Sequence, residues 1–413
     1  MNYSFLLNLT IILLSTKVLG LVTRKFHMPQ VVGALLAGVI LGPAMLGTLH
    51  ETEFLDKLAE IGVIVLMFCA GLETDTTELR KSGRSAFFIA LIGVIVPLIG
   101  GFAVAYYFNQ PDIIPSDGTT SLFLQDMFIG VILTATSVSI TAETLKEIGK
   151  IKTHSGNAIL GAAIIDDVLG IVSLTIISST ADPGVNLFAV LVKIVAFFVF
   201  SAIGGVLIYK VYSRWCNQAE RGLQRHVIAA FCLCLLMSYI AEHVFGVADI
   251  TGAYIAGIII SNTQKSQFLS SKFDTLSYLL LSPVFFASIG LKVELPSMTP
   301  AVVLFAVLLT LIAILTKVVG CGIGAKLCGY KNYQSIRIGV GMVSRGEVAL
   351  IVAGKGQELG LLGGDFLGPV VLVVIITTII TPILLKPVFR LGPSVSFQET
   401  KLGENYEEVS SYR

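Results

Sequence analysis

Long apolar runs recur along the whole chain, and they restrict its fold more than any other feature of the sequence. A helix of about 20 apolar residues is long enough to cross the hydrocarbon core of a bilayer. Thirteen runs can be placed, at residues 4–22, 29–47, 59–75, 85–108, 124–146, 154–178, 188–212, 224–245, 248–262, 272–291, 300–327, 333–356 and 367–391. The sequence therefore predicts an all-α polytopic membrane protein with 13 transmembrane helices.

Charged residues are scarce, which narrows the class of function. They make up 13% of the 413 residues, whereas soluble globular domains carry about 25%, and this argues against a soluble enzyme. The net charge of +1 indicates no basic surface for nucleic acid. No GxSxG or HExxH motif supplies a catalytic centre. We therefore expect neither enzyme activity nor a cofactor, and a function within the membrane.

The connections between the apolar runs alternate in charge. Every second connection is basic, with 19 Lys and Arg residues in total against three in the intervening connections. Short basic loops face the cytoplasm, so we expect a cytoplasmic-membrane protein with its N-terminus outside and its C-terminus inside. The basic residues are Arg24, Lys25, Arg80, Lys81, Arg84, Lys146, Lys150, Lys152, Lys210, Arg214, Arg221, Arg225, Lys265, Lys272, Lys326, Lys331, Arg337, Lys386 and Arg390.

Two helices in the first half of the chain have counterparts in the second half. Gly33-Ala34-x-x-Ala37-Gly38 recurs as Gly252-Ala253-x-x-Ala256-Gly257, and Gly71-Leu72 recurs as Gly290-Leu291, both at an offset of 219 residues. Seven helices separate the copies, so the second copy must cross the membrane in the opposite direction. Inverted repeats of this kind are typical of secondary transporters, whose substrate site lies near the bilayer midplane.

The repeat also predicts how the chain is divided. A membrane domain covers residues 1–391, with six-helix repeats at 1–180 and 222–391 joined by a linker helix at 188–212. A short cytoplasmic tail at 392–413 follows.

Three charged side chains fall in the middle of predicted helices. Asp166 and Asp167 are central in the sixth helix, and Lys317 lies deep in the eleventh. Each such charge costs roughly 2.5–3.5 kcal/mol at the bilayer centre and so requires water, a cation or an opposite charge nearby. Adjacent carboxylates on a helix point about 100° apart and can serve different roles. Two interpretations stay open for Lys317, namely a static salt bridge and a part in transport.

Polar and glycine-rich segments interrupt two other helices. The fifth helix contains Thr134-Ala-Thr-Ser-Val-Ser-Ile-Thr141, whose oxygens suit a hard cation, and the twelfth contains Gly339-Val-Gly-Met-Val-Ser-Arg-Gly-Glu347. If both are unwound, the facing half-helix ends carry partial charges that other groups must neutralise. Arg345 and Glu347 are therefore interpreted as structural charge compensation and not as ion ligands.

At these residues the sequence resembles the cation:proton antiporter-2 family, and within it the NapA-like sodium/proton antiporters. The resemblance covers nearly the whole chain in the order typical of the family, and the paired aspartates with the later lysine are its most specific element. It rests on Gln30–Pro43, Gly71–Thr74, Thr134–Ala142, Gly161–Asp167, Phe285–Gly290, Lys317 and Arg345–Val348.

The resemblance implies a homodimer in which a six-helix core with crossed discontinuous helices moves, like an elevator, against a dimerisation domain. It makes Asp167 the expected Na⁺ ligand and Asp166 a further candidate ligand, which pairs with Lys317 when no sodium is bound. Thr136 and Ser137 match the crossover of the fifth helix.

From the residues and the resemblance together we expect an electrogenic Na⁺/H⁺ antiporter, with Li⁺ as an alternative cation, in which cation and proton compete for Asp167. Exchange of K⁺, or of both Na⁺ and K⁺, for H⁺ is the first alternative. A sodium-coupled symporter of organic solutes is a second, although it would require a larger polar cavity than the sequence indicates.

Overall fold

The computed structural model describes residues 4–26, 28–74, 76–114, 117–181, 187–218, 223–292 and 299–391. Within these ranges the chain consists of helices, turns and short connections, without a β-strand. The predicted tail at 392–413 lies outside the described residues. The helices are α1 (Ser4–Lys25), α2 (Gln30–Leu41), α3 (Glu53–Glu73), α4 (Thr76–Phe108), α5 (Leu122–Ile132), α6 (Val138–Glu147), α7 (His154–Ala181), α8 (Leu187–Gln218), α9 (Leu223–Tyr239), α10 (Asp249–Ser261), α11 (Ser266–Leu276), α12 (Ser282–Leu291), α13 (Pro300–Leu327), α14 (Asn332–Gly341), α15 (Glu347–Glu358) and α16 (Gly364–Val388).

Each apolar run predicted from the sequence contains helix. Eight helical stretches of the described chain are long and apolar enough to cross a bilayer. Shorter apolar helices occupy Gln30–Leu41, Leu122–Ile132, Asp249–Ser261 and Val348–Gln357. The prediction of an all-α, multi-pass membrane protein is therefore confirmed, while the number of crossings and the domain boundaries stay predictions.

The two helices with polar or glycine-rich segments are interrupted, as the sequence predicted. Residues 133–137 separate α5 from α6, and residues 342–346 separate α14 from α15. Two further runs contain a π-helical segment that the sequence pattern did not predict, at Ile240–Val244 after α9 and at Ser277–Leu281 between α11 and α12. Such segments accommodate a wider turn inside an otherwise α-helical stretch.

The helices pack in two groups. In the first, which we call the core bundle, α4 packs most extensively against α13. Helix α4 also contacts α5 and α7, and α13 also contacts α14 and α16. In the second, which we call the panel, α3 packs against α10, α2 against α12, and α1 and α9 against α2 and α10 respectively. The core bundle thus comprises α4–α7 and α13–α16, and the panel comprises α1–α3 and α9–α12. Helix α8 contacts both α7 and α10.

Glycines allow the panel helices to approach closely at two crossings. A Cβ atom on Gly38 of α2 would lie 2.9 Å from the Cα of Gly290 of α12, and a Cβ atom on Gly71 of α3 would lie 3.0 Å from the Cα of Gly257 of α10. Gly38 and Gly257 are the equivalent positions of the sequence repeat, and so are Gly71 and Gly290. Small residues are what such crossings require, because they let two helix backbones meet.

Candidate ion-binding site

A buried ion pair joins two helices of the core bundle. Nζ of Lys317 in α13 lies 2.8 Å from Oδ1 and 3.0 Å from Oδ2 of Asp166 in α7. Neither side chain has any exposed surface. Two charges of opposite sign in contact offset much of each other's cost of burial, whereas either charge alone would be strongly destabilising. The structure therefore brings together two of the three midplane charges that the sequence singled out.

Helix α4 closes around this ion pair through a glycine. A Cβ atom on Gly93 would lie 2.4 Å from Sγ of Cys321 and 4.0 Å from Oδ1 of Asp166. Cys321 follows Lys317 by one helical turn in α13. A side chain at position 93 would overlap Sγ of Cys321, so α4 packs closely against α13 beside the ion pair, and a larger residue there would push the Cys321 side chain aside.

Asp167 has different surroundings from its neighbour. It follows Asp166 in α7, and its side chain is partly exposed, while Asp166 is 1% exposed. The rotation of about 100° between successive helical residues accounts for this difference. One carboxylate therefore faces the lysine, and the other faces a less enclosed part of the molecule.

The two interrupted helices meet at their unwound segments. The backbone N–H of Ser137 donates to the carbonyl of Ser344 at 2.8 Å, and the Ser344 hydroxyl donates to the carbonyl of Ser137 at 2.9 Å. The hydroxyl of Thr141 also donates, at 2.8 Å, to the carbonyl of Gly341. Backbone groups left unpaired by the interruptions are thus satisfied across the crossing, as buried polar groups must be.

The predicted crossover residues of the fifth helix lie in this contact. The Thr136 hydroxyl donates to the carbonyl of Met342 at 3.5 Å and also interacts with the carboxylate of Asp166. The Ser137 hydroxyl lies 3.1 Å from that of Ser139. Thr136 therefore connects the crossing to the ion pair, while the hydroxyl of Ser137 hydrogen-bonds within its own segment.

Arg345 lies at the centre of the crossing and is 1% exposed. Its Nη2 donates to the carbonyl of Leu133 at 2.8 Å and to that of Ala313 at 3.0 Å, and its Nη1 donates to the carbonyl of Val343. Leu133 caps the C-terminus of α5, where the helix dipole leaves partial negative charge that a cation stabilises.

Arg345 also reaches the helix that carries the buried lysine, because Ala313 precedes Lys317 by one turn of α13. Glu347, predicted to share the compensating role, begins α15, and its side chain lies outside what the structure describes.

Sequence reasoning missed a polar contact between the core bundle and the panel. The carboxylate of Glu147, the last residue of α6, accepts from the backbone N–H of Gln30 at 2.8 Å through each of its oxygens. Gln30 begins α2, and a carboxylate is favourable at a helix N-terminus. In the sequence, both residues lie next to basic connections between helices, which places them on the same side of the membrane. That placement alone does not predict that they are in contact.

An ion-pair network lies beside that contact. Lys146 of α6 forms ion pairs with Asp274 of α11 and, at 3.5 Å, with Glu73 of α3. Together with Glu143 and Glu147, Lys146 and Asp274 line a cavity of about 350 Å³ between α6 and the panel. Glu73 is not among the predicted ion ligands, and its contact with Lys146 makes it part of this network.

Comparison with known proteins gives a consistent result. The family described as "Sodium/hydrogen exchanger, transmembrane" matches residues 10–391 of the chain. The Na⁺/H⁺-K⁺ antiporter GerN of Bacillus cereus is 40% identical over 390 residues, which cover 94% of this chain and 97% of GerN. A Na⁺/H⁺ antiporter of Enterococcus hirae is 35% identical over 387 residues, covering 92% of this chain and 96% of that protein.

A solved structure resembles the fold. The sodium proton antiporter MjNhaP1 from Methanocaldococcus jannaschii, solved at pH 8, superposes with a TM-score of 0.62 at 16% identity, over 93% of this chain and 96% of that one. The shared architecture thus extends over nearly the full described chain.

Proposed function

Because this chain belongs to the transmembrane sodium/hydrogen exchanger family and is a monovalent cation/proton antiporter, we propose that it exchanges Na⁺ or Li⁺ for H⁺ electrogenically across the cytoplasmic membrane. The observation that carries this proposal is the fully buried pair of Asp166 and Lys317 with the partly exposed Asp167 next to it. A charge held in such a place is a functional site by default.

Asp167 is the carboxylate at which cation and proton compete. Asp166 is already engaged by Lys317, with Nζ within 3.0 Å of both carboxylate oxygens, and Asp167 is the more exposed of the two side chains. Oxygen ligands suit a hard alkali cation, and a carboxylate takes either the cation or a proton. Competition at one group couples the two fluxes, because neither ion crosses without displacing the other. Thr136 and Ser137 are further candidates for the coordination shell, and Asp166 becomes a second ligand once Lys317 releases it.

Lys317 is proposed to carry a second proton. Burial favours the neutral form of a lysine, and a neighbouring carboxylate favours the charged form. When Na⁺ binds between the aspartates, its charge replaces that of Lys317 beside Asp166. Burial then favours the neutral form of Lys317, which releases its proton. Two protons would then leave for each Na⁺ that enters the site, and one net positive charge would move with the protons.

Movement of the core bundle against the panel is the proposed route of alternating access. The ion pair lies wholly within the core bundle, on α7 and α13. The contact of Glu147 with Gln30 joins the two groups through polar atoms that can separate. The equivalent glycine crossings support an inverted repeat.

We further propose that the panel forms a homodimer interface. The basic ends of the helices are proposed to face the cytoplasm.

Exchange of K⁺, alone or together with Na⁺, is the second candidate function. It is favoured by the 40% identity to GerN, whose name includes both cations. Cation preference among Na⁺, Li⁺ and K⁺ depends on cavity size and ligand number, because all three take the same type of ligand.

The deciding experiment is exchange in proteoliposomes with Na⁺, Li⁺, K⁺ or choline as the only added cation. Proton flux should follow Na⁺ and Li⁺ and be absent with choline. A potential that is negative on the side to which the protons move should accelerate exchange, since net positive charge moves with them. Equal rates at all imposed potentials would show that exchange is electroneutral, and flux with K⁺ alone would establish the second candidate.

A further inference from the structure

A large cavity lies between the core bundle and the panel, on the side of the molecule covered by α8. Its volume is about 760 Å³, which is within the range of about 300–1,000 Å³ for small-molecule sites. It is lined by residues of α4, α7, α8 and α10, including Gly83, Ile164, Ser201, Ala202, Gly205 and Val206.

The sequence of α8 explains why the space exists. Towards the start of α8, Phe197 is fully buried and fills the gap between α7 and α9–α10, where it packs beside Ile194. Ser201 and Gly205 follow on the same face at intervals of four residues. The side chain of Ser201 is small and Gly205 has none, so neither spans the gap that Phe197 fills nearer the start of α8. An opening therefore remains between Ile164 of α7 and the panel.

The walls of this cavity favour hydrocarbon over water. Most lining residues are aliphatic or aromatic, and none is acidic. A bound water needs two to four polar partners, and few of the lining residues are polar. The outer face of α8 carries exposed apolar side chains such as Ile203 and Leu207, so the medium next to the opening is the lipid of the bilayer.

Basic side chains flank one end of the cavity. Val206 lines the cavity, and Lys210 and Arg214 follow it at intervals of four residues along the same face of α8. Arg84 follows the lining residue Gly83 in α4. All three basic side chains are exposed. Basic residues at the membrane surface attract anionic lipid headgroups, and here they flank a largely apolar cavity.

We propose that this cavity binds one anionic phospholipid, with an acyl chain between α7 and α10 and its phosphate at Lys210, Arg214 and Arg84. The lipid would lie between α7 of the core bundle and α10 of the panel. It therefore sets the spacing across which the core bundle moves, and this last consequence alone rests on the proposed transport function.

Lipid binding is tested by native mass spectrometry of the purified full chain, loaded with phosphatidylglycerol or phosphatidylcholine. The wild type should retain one phosphatidylglycerol per chain and little phosphatidylcholine. The double variant Lys210→Gln/Arg214→Gln should lose phosphatidylglycerol retention at least about tenfold, as expected for two headgroup charges. Lys193→Gln, which removes an exposed lysine near the other end of α8, is the matched control and should bind like the wild type.

A second pair of variants tests the acyl-chain site without changing charge. Ala202→Trp places a large ring in the cavity, whereas Ile203→Trp places the same ring on the adjacent outer face, where Ile203 is 70% exposed. Only Ala202→Trp should expel the lipid. Equal retention by all variants, or equal retention of both lipids, would overturn the proposal. Disulfide-linked dimers of Ala202→Cys, absent from the wild type, would also overturn it, since a second chain would then cover the cavity.

The effect on transport has its own readout. Exchange rates are compared in vesicles of phosphatidylcholine with and without phosphatidylglycerol. The wild type should respond to the anionic lipid, and Ala202→Trp should not. If lipid binding is lost in the variant while the response persists, the site stands and the proposed control of bundle spacing is wrong. If no variant or lipid supports any exchange, the proposed transport function fails and the binding result is unaffected.

Discussion

Nζ of Lys317 lies 2.8 Å from Oδ1 of Asp166, and neither side chain is exposed. This pair couples α13 to α7, and α4 closes over it through Gly93. Removing one partner of such a pair leaves an uncompensated buried charge, which costs roughly 3–5 kcal/mol. The next residue along α7, Asp167, is partly exposed as a whole, although its Oδ2 is buried. The two adjacent aspartates therefore differ in environment, because one lies in a fully buried ion pair and the other is partly exposed.

Asp167→Asn should abolish exchange and leave the protein folded. The amide keeps the volume of the carboxylate but holds neither a proton nor a net charge. Sodium-dependent proton flux in proteoliposomes is the measurement. Asp126→Asn is a suitable control, because Asp126 is a buried carboxylate that pairs with the amide of Asn109 at 2.8 Å, away from the site. Substantial flux through Asp167→Asn would show that the site lies elsewhere.

Sodium should stabilise the wild type against heat, and acid should weaken that effect. A ligand that binds only the native state stabilises it by about 2.7 kcal/mol at 100 times its dissociation constant, and protons that compete for Asp167 raise the apparent constant. The shift in Tm with Na⁺ is therefore expected to grow as the pH rises from about 5 to 8. A shift of equal size at every pH would contradict competition at a shared carboxylate.

Much of the fold could be predicted because lipid imposes strict rules on sequence. The positions of the helices could be predicted from the apolar runs. Asp166, Asp167 and Lys317 could be identified as candidate site residues because a lone charge at the bilayer midplane is costly. Which carboxylate Lys317 meets did not follow from physics alone, since the contact joins residues 151 positions apart. The Glu147 to Gln30 contact was missed for the same reason. Local pattern identifies groups that need partners, and only tertiary packing selects the partners.

Arg345→Met should lower stability more than it alters ion binding. The guanidinium satisfies the carbonyls of Leu133 and Ala313, and each buried acceptor left unpaired costs roughly 1–3 kcal/mol. A lower Tm is expected together with a sodium-induced shift that persists in the folded protein. Arg345→Lys keeps the charge but cannot reach both carbonyls with a planar fork, so its Tm should be intermediate. Loss of the sodium shift at an unchanged Tm would make Arg345 part of the ion site.

Restraining the core bundle against the panel should stop exchange. Cysteines at Gln30 and Glu147, whose polar atoms meet across the two groups, are cross-linked in a background without native cysteines, using a short bismaleimide whose spacer contains a reducible disulfide. Exchange should fall on cross-linking and return on cleavage. The control pair replaces Asp56 and Lys292, which contact each other at 2.7 Å within the panel, and its cross-link should leave exchange unchanged. Full activity of the first cross-linked pair would exclude relative movement of the bundles.

The role of Lys317 is decided by its response to membrane potential. If Lys317 carries a proton, each cycle moves two positive charges against one, and a potential drives exchange. Lys317→Gln then retains at most an electroneutral exchange, in which Asp167 alone releases a proton. If Lys317 is only a support, the variant loses roughly 3–5 kcal/mol of stability, because Asp166 is left as a buried charge without a partner. Any exchange that remains should then still respond to potential.

A double variant separates the effect on folding from the effect on coupling. Replacing Asp166 as well, in Asp166→Asn/Lys317→Gln, removes the unpaired charge and should recover most of the stability. The measurement is Na⁺/H⁺ exchange by both variants in proteoliposomes, with and without a potential clamped by valinomycin and K⁺. Potential-driven exchange in the folded double variant would show that the second proton is not carried by Lys317.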